Sequence, residues 1–152
     1  MQGKRKLLIL GPSYRRKIDD DLLPALERYD GIIYRVARKY LGDVKDVDVA
    51  IMRDNLTLVD GSALVPYSKP EGENWRMKTI HREAVERAKM VNESYLRNRL
   101  RRRKYCEIFV SMGKGYAAAL PELSQYEIIV RFPASGGLGP KAQALKKWFS
   151  MK

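Results

Sequence analysis

The sequence predicts an α/β domain: a three-layer arrangement of about four mostly parallel strands with helices on both faces. Two observations predict it. Short apolar runs closed by glycine or proline alternate with amphipathic stretches at helical spacing, the pattern of a parallel sheet crossed over by helices. The first run, Leu7 to Leu10, is continuous and breaks at Gly11 and Pro12, as a strand buried on both faces does. A third observation bears on the site. Strands one, three and four each end in a glycine-containing loop with cations, and in a parallel sheet those loops converge on one edge.

Composition fits one domain over residues 1–152. The chain is 45% hydrophobic and 32% charged, which reads as a globular chain rather than a disordered one. Thirty Lys and Arg against 18 Asp and Glu leave a net charge of +12. That excess favours nucleic acid, nucleotides or another anionic surface as partner, beside the plainer reading of a solvated basic surface. Cys106 is the one cysteine, which excludes a disulfide framework and a cysteine metal site. Its apolar run, YCEIFV, predicts a buried, inert thiol. His81 is the one histidine and stands in a charged helical stretch, where a surface role is expected. No apolar run is long enough to span a membrane, and the opening MQGKRKLLILG is too short in apolar residues to read as a signal peptide. A reducing cytoplasm is expected, with no metal and no cofactor.

The elements follow in order, with strands expected at Lys6–Gly11, Val47–Arg53, Tyr105–Ser111 and Glu127–Phe132. Behind the first strand Ser13, Tyr14, Arg15, Arg16 and Lys17 supply a hydroxyl, a phenol and three cations. Asp19 to Gly31 reads as a turn or short helical piece broken by Pro24. Asp19, Asp20 and Asp21 suit a cap that balances the cations, or acidic ligands. A helix follows with Ile32, Ile33, Val36, Ala37, Tyr40 and Leu41 on one stripe, Asp30 as N-cap and Gly42 past its end. Arg35, Arg38 and Lys39 form its outer face. Asp54 to Arg76 reads as one long loop, with Tyr67, Lys69, Trp75 and Arg76 able to serve as a lid or as anchors. Met77 to about Arg101 is the clearest helix, with Ile80, Ala84, Val85, Ala88, Val91 and Tyr95 as its apolar stripe. A short helix, Tyr116 to Leu123, and a last one carrying Trp148 inward complete the chain.

The loops suggest a site for an anion, above all a phosphate. Gly11, Ser13, Arg15, Lys17, Gly113, Lys114, Tyr116, Gly136, Gly137, Gly139 and Lys141 are its candidate ligand-binding residues. GGLGPK matches neither a Walker A loop nor G-x-G-x-x-G. The expected function is binding of a nucleotide or nucleic-acid phosphate. The alternative is an enzyme acting on a nucleoside or nucleotide, with Tyr67 or Tyr116 orienting a base and Glu27 or Asp30 reacting. Glu122 is a further acid without a signature. A third alternative is a basic docking module without catalysis. Arg97, Arg99, Arg101, Arg102, Arg103 and Lys104 crowd one helix end. They suit the helix dipole and, in number, a nucleic-acid contact.

Several stretches together resemble one family. LLILGPSYRRK, LPALERYDGIIYRVARKYL, VPYSKPEGENWRM, IFVSMGKGY and GGLGPKAQALKKW are similar to the motifs of the peroxide-stress YaaA-like proteins, over most of the chain. The resemblance implies a Rossmann-like domain and involvement with nucleic acids or stress, without an established reaction. Pro12 stands where the family pattern has cysteine, so thiol chemistry at that loop is not implied here. The first strand, ending in Gly-Pro, is also similar to that of nucleoside deoxyribosyltransferases, whose chemistry requires a nucleophilic carboxylate.

Overall fold

The computed structural model describes residues 5–70, 82–133 and 137–151. In chain order its elements are β1 (Arg5–Leu10), β2 (Leu23–Pro24), α1 (Ala25–Arg28), α2 (Ile32–Leu41), β3 (Val47–Met52), β4 (Leu58–Asp60), β5 (Leu64–Val65), α3 (Arg82–Arg102), β6 (Tyr105–Ser111), α4 (Lys114–Ala117), β7 (Ile129–Arg131) and α5 (Leu138–Ser150). Five strands form one sheet in the order β4-β3-β1-β6-β7. β1 pairs in parallel with β3 and β6, and β6 in parallel with β7. The fold is therefore α/β with a mostly parallel sheet, and the four expected strands are all present and parallel.

β1 explains the packing. Leu7, Leu8, Ile9 and Leu10 are all fully buried, because a central parallel strand has no face left to solvent. Their side chains alternate between two cores. Leu8 and Leu10 join Val49, Ile51 and Phe109 against α2 and α5. Leu7 and Ile9 join Ala50, Met52, Ile108 and Val110 against α3. Cutting one such leucine back to alanine costs about 2–5 kcal/mol in a well-packed interior.

Several expectations are corrected. The long loop after Asp54 contains β4, an antiparallel edge strand on β3, and β5, which pairs with β2. Both are too short for alternation to reveal. On α3 the buried residues are Ala88, Asn92 and Leu96, whereas Val91 is 55% exposed. The stripe turns through Asn92, whose side chain replaces backbone partners. Its Nδ2 donates to Leu56 O at 2.8 Å and to Ala119 O at 2.9 Å, and its Oδ1 accepts from the Leu58 N–H at 2.9 Å. The helix after β6 is only Lys114–Ala117, followed by a 3-10 turn over Leu123–Tyr126. Asp30 is not the N-cap of α2; Gly31 is. Cys106 is exposed rather than buried. Tyr105 pairs with Arg5 and Glu107 with Lys6, so Cys106 is the extra residue of a β-bulge and turns outward. Trp75, Arg76 and His81, with the start of the expected Met77 helix, lie outside the described residues. No helix among the described residues is long and apolar enough to cross a membrane.

Candidate functional site

The chain leaves β1 toward β3 on one side, then crosses back to place β6 on the other. At such a reversal the loops beyond the carboxyl ends of the two central strands part and open a crevice. A cleft of about 340 Å³ lies there. Its walls are the loop after β1, the loop after β6 and the first turns of α2 and α5.

Local chemistry shapes this cleft. A β-carbon on Gly11 would stand 2.6 Å from the β-carbon of Met112, so only glycine lets the ends of β1 and β6 come this close. The Gly11 N–H donates to Ser111 O at 3.0 Å. The buried Tyr34 hydroxyl donates to Gly11 O at 2.6 Å, tying α2 to the end of β1. Burial pushes the Tyr34 phenol well above its ordinary value, so it stays a neutral donor. Gly31 makes room of another kind. Its backbone is extended, with φ −72° and ψ 174°, which any residue adopts. A β-carbon there would collide with the Ser13 hydroxyl. The glycine thus lets Ser13 rest against the start of α2.

The loop after β1 is braced from behind. Arg16, buried to 8% exposure, donates to both carboxylate oxygens of Asp54 at 2.6 and 2.8 Å, to Ser13 O at 2.8 Å and to Ser68 O at 2.9 Å. The Asp30 N–H donates to Arg15 O at 2.9 Å. Arg16 is a strut, and its exposed neighbour Arg15 lines the cleft.

The electrostatics are one-sided. α2 and α5 both begin at a glycine, Gly31 and Gly137, with no side-chain cap and no acidic residue in the first turn. Their leading N–H groups and positive dipole ends meet the same cleft. Lys141 and Arg15 add charge, and no carboxylate is among its described lining residues. Tyr14, Ile32 and Leu138, each about half exposed, give it an apolar wall.

Of the expected ligand-binding residues, the fold brings Gly11, Ser13, Arg15, Gly113, Gly137 and Lys141 together. Gly136 lies outside the described residues. Lys17 is exposed away from the cleft, its N–H donating to Arg28 O at 2.8 Å. Lys114 and Gly139 do not line the cleft, and Tyr116 packs against the α3 side of the sheet. Burial, then the charge of Asp54, pushes Tyr116 up to about 12, so it is no base at neutral pH.

The reactive candidates lie elsewhere. Glu27 is exposed on α1 and Tyr67 half-buried beyond β5. Glu122 precedes the 3-10 turn, its carbonyl accepting from Gln125 at 2.7 Å. Asp30 is held by Arg35, at 3.2 Å, and by Arg38. The hydrogen bond from Arg35, against the effect of burial, keeps its carboxyl below the ordinary range. Among the described residues no group of three or more His, Cys, Asp or Glu could hold a metal ion.

The residues missed by sequence reasoning are Tyr34, Gly31, Ser111 and Met112. Gly31 alone carried a signal, standing directly before an apolar helical stripe. The basic end of α3 divides. Arg99 turns inward to Asp60, to the Tyr105 hydroxyl at 3.2 Å and toward Asp48 at 3.9 Å. Arg97 pairs with Glu93 at 2.6 Å, and Arg103 reaches Asp48 at 3.7 Å. Arg101, Arg102 and Lys104 are exposed.

Compared with family models, with curated proteins and with solved structures, the chain matches none.

Proposed function

We propose that the cleft binds a nucleotide by its phosphate, within a Rossmann-like three-layer domain of the YaaA-like kind. One observation carries this reading. Two helices open on the same cleft with glycine N-caps, no side-chain cap and no acid in either first turn. A phosphate supplies the acceptor oxygens and negative charge that both helix starts lack. Ser13 donates a hydroxyl hydrogen, and Arg15 and Lys141 neutralise charge. Tyr14, Ile32 and Leu138 offer the flat face of a base an apolar wall. A nucleic-acid phosphate has the same head group. The mostly apolar lining favours the free nucleotide, whose base can enter beside its phosphate.

The reading as a nucleoside-modifying enzyme is less well supported: no carboxylate is among the described lining residues, and Asp30 is committed to two arginines. Isothermal titration tests the proposal. A nucleoside monophosphate should bind saturably and the bare nucleoside much more weakly. Arg15→Ala and Lys141→Ala should each weaken the nucleotide by about 10–100-fold, the value of one charge-assisted hydrogen bond. Equal affinity for nucleoside and nucleotide would overturn it.

A further inference from the structure

At the opposite edge of the sheet, where β1, β3 and β6 begin, a second kind of surface forms. Asp48, on β3, accepts a salt bridge from Arg5 and a hydrogen bond from the Tyr105 hydroxyl at 2.6 Å. Asp60 accepts from Arg99 and from the Tyr95 hydroxyl. These two carboxylates hold the inner arginines in place. The outer cations of the same segment, Arg101, Arg102 and Lys104, are exposed and make no ion pair among the described residues. A polar hollow of about 460 Å³, lined by Arg99, Arg102, Arg103, Tyr105 and Asp60, lies beside them.

We infer that this edge is a contact for the phosphate backbone of nucleic acid, separate from the cleft. The dipole at the end of α3 amounts to about half an elementary charge; here the inner arginines are paired with Asp48 and Asp60, and an outer ring of cations remains beyond them. That ring is mostly arginine, whose planar fork meets a phosphate through paired hydrogen bonds. An anionic membrane is the poorer fit. Surface-bound membrane segments set apolar anchors beside their cations, and none of the exposed large hydrophobic residues falls within 97–104. The contact reads backbone charge, so it is indifferent to base sequence.

The test is fluorescence anisotropy of a short labelled DNA duplex across a salt series, with the full chain. The parent should bind at low salt, with affinity falling steeply as salt rises. The triple variant Arg101→Ala, Arg102→Ala, Lys104→Ala should bind on the order of tenfold or more weakly, its log–log salt slope shallower by about two to three. The double variant Arg101→Lys, Arg102→Lys should keep the parent slope. Neutralising Lys69, Arg82 and Arg87, exposed cations outside this edge, should change the slope far less. Nucleotide affinity at the cleft should be untouched by the triple variant, so the two proposals fail separately. No parent binding at low salt, equal slopes in parent and triple variant, or an equal loss in the control variant would overturn the inference. So would tighter binding to phosphatidylserine vesicles than to the duplex.

Discussion

Tyr34 on α2 donates its hydroxyl hydrogen to the carbonyl oxygen of Gly11, 2.6 Å away at the end of β1. Both groups are buried, so the bond fixes the helix that opens the cleft to the strand that floors it. Tyr34→Phe keeps the ring and removes the donor. The orphaned carbonyl should cost about 1–3 kcal/mol, read as a lower urea midpoint with an unchanged slope. Nucleotide affinity should fall with it. An unchanged midpoint would mean that the bond contributes nothing.

Gly31 and Ser13 give a paired prediction. Gly31→Ala forces its new methyl against the Ser13 hydroxyl, so the loop after β1 must shift. Stability and nucleotide binding should both drop. Adding Ser13→Ala removes the colliding oxygen, leaving a Cβ contact of 3.4 Å. The double variant should regain stability but not affinity. Additive stability losses in the four-variant cycle would show that the two residues do not interact.

Asn92 carries a third prediction. Its side chain meets three backbone groups, on Leu56, Leu58 and Ala119, and is fully buried. Asn92→Leu suits the surrounding apolar stripe in size yet strands all three. The loss should be at least about 2 kcal/mol, measured by urea unfolding. A neutral or stabilised variant would show that the backbone relaxes to other partners.

Acid should weaken the protein in a defined way. Asp30 and Asp48 both lie below the ordinary aspartate value of 3.8. For Asp48, burial pushes up, and hydrogen bonds from Arg5 and Tyr105 outweigh it. A carboxyl depressed by folding contributes stability above its unfolded value and loses it as pH falls through the folded one. The urea midpoint should hold above about pH 4 and drop below it. Asp48→Asn should be less stable at neutral pH and show a shallower acid drop. The parent's midpoint staying flat through that window would contradict the ion-pair account.

What the sequence disclosed follows its local chemistry. β1 was legible because a doubly buried strand has an unbroken apolar run, β6 because Ile108, Phe109 and Val110 run together before a glycine loop, and α2 because its stripe recurs at helical spacing. β4 and β5 were not, since pairing over two or three residues depends on the partner strand. The same division holds at the cleft. Ser13, Arg15 and Lys141 were legible as residue types in glycine loops, whereas Tyr34 sits on a helix face with no marker of its bond to Gly11. Lys17 and Tyr116 shared that local chemistry, but the fold turns them elsewhere. Arg16 looked like one cation among three, and only its distant partners Asp54 and Ser68 make it a strut.

The central claim is that the cleft at the ends of β1 and β6 holds a nucleotide by its phosphate. Titrating labelled protein with a nucleoside monophosphate, while following backbone amide chemical shifts, tests it most directly. The amides of residues 11, 13–15, 31–34, 111–113, 137–139 and 141 should shift together and saturate, with Ile32, Ile33 and Leu138 prominent at the helix starts. Inorganic phosphate should move the same amides at higher concentration. Shifts that never saturate, or that gather elsewhere with these amides still, would contradict the account.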